Sequence, residues 1–342
     1  MPDKPILPIA ALTIIIAIVS LAGCMSTSPV SNQTGSAPAD ITHGGSSGTG
    51  VSVSPAAGTG SEGRLPVITS FRPFTLLVAP VGRDHIIITQ ILPPGADPHD
   101  YEPTPKDAVA LRNSRVFFYD GPFLEPWAAT LAASTNPDIQ LATFADAIPA
   151  PVYDRMRSQY ADFPDMSQDP HLWLSPQLAE YYVSYVAREL SEADPGNATD
   201  YQNNAAGFND RLELLDADYK AGFSNCTTRT FLSSHAFLDY TAAAYNLTPI
   251  SIAGMNPDTE PSVQQMMAVV GEAKAYHVRG VLVEPDEAED LSKSISAELD
   301  LPLYPFTTME VLPSGTLTPD DTDYVAIMEK NLQEMKKAMV CR

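Results

Sequence analysis

His99, His171 and His235 stand 72 and 64 residues apart, and Glu310 follows 75 residues later. Imidazole nitrogen and carboxylate oxygen are the donors zinc takes, at about 2.0–2.2 Å, where cysteine is absent. Each of the four lies where a strand gives way to a helix, or just ahead of a helix. His99 lies in GADPHDYEPTP (95–105), His171 in SQDPHLWLSP (167–176), His235 in FLSSHAFLDY (231–240) and Glu310 in LYPFTTMEVLP (303–313). A single histidine at such a place is an ordinary loop or core residue. Four such positions, in four quarters of a chain with only 6 histidines, describe a cage for a divalent cation. The other histidines have bland settings: His43 among glycine and serine, His85 opening a strand, His277 closing a helix.

Such a cage needs elements that aim its donors at one place. From Leu65 onward, β-branched and aromatic runs at 66–70, 85–92, 115–120 and 138–144 alternate with helical patterns. TPKDAVALRNS opens a helix with Thr104 as cap, Pro105 in the first position and Asp107 in the first turn. A second series of strands is expected at 229–234, 248–254, 279–285 and 301–307. Alternation of this kind predicts an α/β fold with mainly parallel sheets. Between the series, Tyr201, Ala205, Phe208, Leu212, Leu215, Tyr219 and Phe223 recur three or four residues apart, predicting one long helix. Val263, Met266, Met267 and Val270 are expected on the core face of a later helix; Tyr324, Met328, Leu332, Met335 and Met339 on that of the last. Ligands in open α/β sheets bind beyond the carboxyl ends of the strands. Two similar lobes joined by one long rigid helix would place those ends, and the metal site, in one cleft.

The chain divides accordingly. Residues 1–24 read as a leader: Lys4, an apolar run from Ile6 to Leu21 and a small-residue end. The run is shorter than the roughly 20 residues a membrane span needs. Leu21-Ala22-Gly23-Cys24 resembles the lipobox of prokaryotic lipoproteins, which makes Cys24 the lipidated residue and anchors the chain on the outer face of the membrane. Residues 25–64, dominated by Ser, Thr, Gly, Ala and Pro, read as a flexible tether. The remaining boundaries are a first lobe over 65–196, a linking helix over 197–223 and a second lobe over 224–342. A net charge of −22 argues against nucleic acid as a partner. With Cys24 lipidated, Cys226 and Cys341 remain as an even pair in an oxidising compartment. They are either a disulfide that pins the C-terminal helix or two buried thiols.

Six segments carry a resemblance: LPPGADPHDYEPTPKDAVAL, YDGPFLEPWAATL, DPHLWLSPQLA, FLSSHAFLDYTAAAYNL, IAGMNPDTEPSVQQM and VRGVLVEPDEAEDL. In this order they resemble the metal-binding lipoproteins of ABC transporters, the cluster A-I substrate-binding family for zinc and manganese, over Leu65 to Lys337. The resemblance implies two α/β lobes around a rigid helix, and a monomer that carries a metal to ABC permease subunits rather than an enzyme. It implies His99, His171 and His235 as the first three ligands; the third position is glutamate in many manganese-type members. At the fourth position many members carry aspartate, whereas YPFTTMEV here maps Glu310 onto the Leu-Glu motif of zinc-type relatives, with Glu284 or an open water position as rivals. The histidine-rich loop of some zinc members is missing, since 145–170 contain no histidine. Three imidazoles and a carboxylate favour Zn2+ over Mn2+ as cargo. Asp97, Glu102, Asp169 and Glu284 are candidates to orient the imidazoles. A secreted zinc hydrolase using the same histidines is the rival from another class, but the chain has no His-Glu-x-x-His motif to supply its base.

Overall fold

The computed structural model describes residues 63–159, 169–256, 259–284, 289–311 and 319–342. The leader, Cys24, His43 and the tether up to residue 62 lie outside these residues. From Leu65 the chain builds β1 (Leu65–Thr69), α1 (Arg72–Gly82), β2 (Ile86–Gln90), α2 (Pro105–Arg112), β3 (Val116–Tyr119), α3 (Ala128–Thr135), β4 (Gln140–Thr143) and α4 (Ala150–Gln159). Two long helices follow, α5 (Pro176–Ala193) and α6 (Ala198–Gly222). The second half is β5 (Thr230–Ser233), α7 (Asp239–Tyr245), β6 (Thr248–Ser251), α8 (Val263–Ala275), β7 (Val281–Val283), α9 (Glu289–Leu299), β8 (Leu303–Pro305) and α10 (Tyr324–Ala338).

Every strand pairing is parallel, and the two sheets have the same order: β2-β1-β3-β4 and β6-β5-β7-β8. In each, the chain starts at an inner strand, steps to one edge, then crosses to the other side. Parallel sheets are covered on both faces, and β3 (VFFY) and β5 (TFLS) are buried at every position.

The periodicity of α6 is realised as expected. Tyr201, Ala205, Phe208, Leu212, Leu215 and Tyr219 are all buried, and at 1.5 Å per residue its 25 residues run about 37 Å. α5 packs along it, and α10 returns against it: the Tyr219 hydroxyl donates to the Met328 carbonyl at 2.8 Å. One apolar core therefore runs through both lobes, from Phe74 and Tyr182 to Phe231, Tyr324 and Met335. Burying each such side chain contributes about 1.5–3 kcal/mol. A second, smaller core of Leu232, Ile250, Ile252, Ala273, Val278, Val281 and Ile295 lies apart, with Met266, Val269 and Val270 of α8 packed against it.

α8 departs in part from its expected face. Val263 and Met267 are 69% and 70% exposed, whereas Met266 and Val270 pack against the second core as expected, joined by Val269 and Ala273. The helix is apolar on more than one side, so spacing alone did not select the side that meets the sheet. The cysteines resolve clearly: Cys226, just past α6, is disulfide-bonded to Cys341, just past α10.

Candidate metal centre

His99 hangs in the connection from β2 to α2, whose first residues prolong the sheet: Ile91 N–H donates to the Thr69 carbonyl at 2.9 Å and Leu92 N–H to Ser70 at 2.8 Å. The Asp97 carboxylate accepts the His99 backbone N–H at 2.8 Å, turning the loop at the histidine. His171 precedes a single 3-10 turn, Leu172–Leu174, and then α5. Asp169 Oδ1 takes both its backbone N–H, at 2.9 Å, and its ring Nδ1, at 2.8 Å. That second bond fixes the tautomer and leaves Nε2 to face His99, His235 and Glu310. His235 follows β5, its ring against Phe237 with centroids 4.7 Å apart. Ala236 N–H donates to the Gly254 carbonyl at 3.1 Å, holding the turn onto the end of β6.

Glu310 lies past β8, after Met309 at φ 69°, a left-handed conformation for a residue with a side chain. Such a backbone costs about 1–3 kcal/mol and persists only where its surroundings enforce it. They do: Trp173 Nε1 donates to the Thr308 carbonyl at 2.8 Å, and Glu284 accepts Thr308 N–H at 3.2 Å. The Thr308 hydroxyl lies between the two carboxylates, bonded to Glu284 Oε1 and 3.0 Å from Glu310 Oε2.

One donor atom from each of His99, His171, His235 and Glu310 lies within 4.8 Å of all the others. His171 Nε2 is 3.3 Å and His99 Nε2 3.6 Å from Glu310 Oε1. Four ligands at about 2.1 Å in a tetrahedron stand about 3.4 Å apart, so these two edges already have the spacing of a zinc site. His99 Nε2, His171 Nε2 and Glu310 Oε1 are buried and hydrogen-bonded to nothing among the described residues. Buried donors of this kind are costly unless a ligand takes them. Glu284 stands behind Thr308, outside the cluster, and Glu102 is solvent-exposed. His85 instead pairs with Asp200 at 2.9 Å, and His277 is exposed.

The electrostatics divide the imidazoles. Burial pushes His171 down, but Asp169 and Glu310 outweigh it and hold the ring at about 10. A metal taking Nε2 must displace that proton. Burial, then repulsion from His171, push His235 down to about 3, so its ring is neutral. Burial would raise Glu310, but His171 and His99 hold its carboxyl well below the usual range.

Residues 67–338 match the family described as "Zinc-uptake complex component A periplasmic". The chain belongs to this family. Within it, the chain is 26% identical over 288 residues to the high-affinity zinc uptake system protein ZnuA of Bacillus subtilis, covering 82% of this chain and 89% of that one. It is 26% identical over 286 residues to the zinc-binding lipoprotein AdcA of Streptococcus pneumoniae serotype 4, covering 81% of this chain; the chain spans 56% of that relative's length. Among solved structures, the Zn(II)-bound ZnuA-like domain of Streptococcus pneumoniae AdcA aligns with a TM-score of 0.67 at 26% identity, over 81% of this chain and 99% of that one. The laminin-binding protein Lmb of Streptococcus agalactiae aligns with a TM-score of 0.68 at 26% identity, over 80% of this chain and all of that one. These are substrate-binding proteins of the same two-lobe fold.

Sequence reasoning named Asp169 and Glu284 among the groups behind the donors but overlooked others. Thr308 and Trp173 brace the Glu310 turn across 135 residues of chain, which no local pattern announces. In the motif YDGPFLEPW, Asp120 and Glu125 are both buried, and Asp120 N–H donates to Glu125 Oε2 at 2.6 Å. Burial raises the Glu125 carboxyl to about 7, against smaller opposing bonds from Ser70 and the backbone of Asp120 and Gly121. A raised acid keeps its proton in the folded state while the unfolded chain loses it. Stability from this group is thus present near pH 4.5 and lost as pH rises through about 7. Glu125→Gln, which retains an acceptor for Asp120, is expected to raise stability by roughly 2–3 kcal/mol at pH 8 and leave it nearly unchanged at pH 4.5. Calorimetric melts at both pH values check this; a lower midpoint for the variant at pH 8 would refute it.

Proposed function

We propose that this protein captures Zn2+ outside the cytoplasmic membrane and delivers it to the permease subunits of an ABC importer. In this reading His99, His171, His235 and Glu310 are the ligands. The observation that carries it is the convergence of three imidazoles and one carboxylate, from four separate connections, on a single buried point. Four protein donors complete a tetrahedron, as suits carriage; a catalytic zinc keeps one position open for water. The relatives described above, a zinc uptake protein and a zinc-binding lipoprotein, support the same cargo. Nitrogen-rich ligation supports zinc over manganese, which favours oxygen donors.

The same reading assigns Cys24 as the lipid anchor, with residues 1–24 as leader and 25–64 as tether. It treats the rest as a monomer of two lobes, 65–196 and 224–342, on the linking helix 197–223. No observation favours the zinc hydrolase.

Calorimetric titration of chelator-stripped protein with Zn2+ and Mn2+ tests the proposal. One tightly bound zinc per chain, with manganese markedly weaker, is expected. A preference for manganese would reject zinc as the cargo. A three-ligand zinc bearing water, together with hydrolysis of ester or peptide probes, would reject carriage altogether.

A further inference from the structure

The four donors are not equally held. His171, His235 and Glu310 are buried residues braced by Asp169, by β5 and β6, and by Trp173 and Glu284. His99 hangs from the long irregular connection between Gln90 and Pro105, in which Pro93, Pro94, Gly95, Asp100 and Glu102 face solvent. Its side chain is only 4% exposed, but among the described residues the segment that carries it exposes more positions than those around the other three.

One buried group closes that segment at its far end. Asp107, in the first turn of α2, accepts the Thr104 backbone N–H at 2.6 Å and the Thr104 hydroxyl at 2.8 Å, completing a capping box. The same oxygen, Oδ2, also accepts the Tyr101 hydroxyl at 2.8 Å. A capping box does not need that third bond. It reaches back past the start of the helix to a residue two positions from His99. The Tyr101 ring packs beside Trp127, centroids 5.9 Å apart, and Trp127 stacks on Phe117 of β3 at 6.3 Å. The His99 segment is thereby bonded to α2 and packed against the sheet.

We propose that Tyr101 and Asp107 are positioning residues for metal retention: their hydrogen bond holds the His99 segment in place, and its loss lets this donor leave first. The inference rests on the metal-carrier reading above. It goes further in assigning the exit of the cargo to one segment and one bond. The bond joins a neutral donor to a buried carboxylate, the stronger class of hydrogen bond. Breaking it affects how often His99 swings out, which governs dissociation, while the other three donors still receive an incoming ion.

The test uses Tyr101→Phe, which keeps the ring against Trp127 and removes only the hydroxyl. Zinc release from the purified full-length chain is followed by stopped flow with a chromophoric chelator. The variant is expected to bind one zinc and release it on the order of 10-fold faster. Its association rate should match the wild type, and its thermal midpoint without zinc should fall by only a few degrees, about what one such bond is worth. Asp107→Ala, which removes the acceptor, should also speed release, and adding Tyr101→Phe to it should speed release little further, because one bond cannot be lost twice. Release from Tyr101→Phe within twofold of wild type overturns the proposal, as does an additive double variant. Hydrogen exchange of the segment between Gln90 and Pro105 supplies a reading that needs no metal. If the wild type bound no zinc, the carrier reading would fall, and equal exchange in wild type and Tyr101→Phe would overturn the latch by itself.

Discussion

His235→Ala is expected to weaken zinc binding by roughly 10²–10³-fold while the protein still folds. A four-ligand zinc site is worth on the order of 10–16 kcal/mol, so an average ligand carries about 2.5–4 kcal/mol. His235 should reach that average, because its ring is buried and already neutral and gives up no proton to bind. Its ring packs at one side on Phe237, so truncation leaves a small cavity while the apolar core that runs through both lobes stays intact. The effect is readable as lost stabilisation. At free zinc 1,000 times the wild-type Kd, binding adds about 4 kcal/mol to stability. A variant weakened 10³-fold gains less than about 0.5 kcal/mol at the same concentration. Melts with and without zinc therefore separate the two proteins, and an unaltered zinc-dependent gain in His235→Ala would remove His235 from the ligand set.

Replacing Cys226 and Cys341 together by serine is expected to cost about 2–4 kcal/mol of stability. The bridge closes a loop with a sequence separation of 115 residues, so its loss frees a large part of the unfolded chain. For a chain of this size that corresponds to roughly 3–7 °C in midpoint. Neither cysteine belongs to the donor cluster, so zinc affinity should persist in the serine variant at temperatures where it is folded. Thiol reductant should lower the wild-type midpoint to the variant's value and leave the variant unmoved. A variant as stable as wild type would mean that the C-terminal helix is held by its apolar face alone.

Most of the architecture was legible because its signals are local. The stripe from Tyr201 to Tyr219 has a period that only a helix satisfies, and all of it is buried. The strands could be read from short β-branched and aromatic runs, and the clustering of His99, His171, His235 and Glu310 from their shared place at strand-to-helix connections. Where a feature depends on which distant surface an element meets, the pattern was silent. Val263 and Met267 look like core residues by type, yet the small second core takes Met266 and Val270. Glu102 and Asp169 were equal candidates beside a histidine; only the fold reveals that Asp169 grips the His171 ring while Glu102 faces water. Glu284 and Glu310 both follow strands of the second sheet, and the turn at Met309 decides which of them reaches the cluster.

The continuity of the main core from one lobe into the other has a mechanical consequence. Of the four proposed ligands, His171, His235 and Glu310 hang from one body of packed side chains, with His99 on its looser segment, and packed interiors resist compression and shear. A cage on such a mount behaves as a stiff spring rather than a closing hand. An ion that demands longer bonds must strain the mount, and one that demands shorter bonds must do the same in the other direction. Ionic radius is then sensed through elastic resistance, in addition to the affinity of nitrogen and oxygen for the metal.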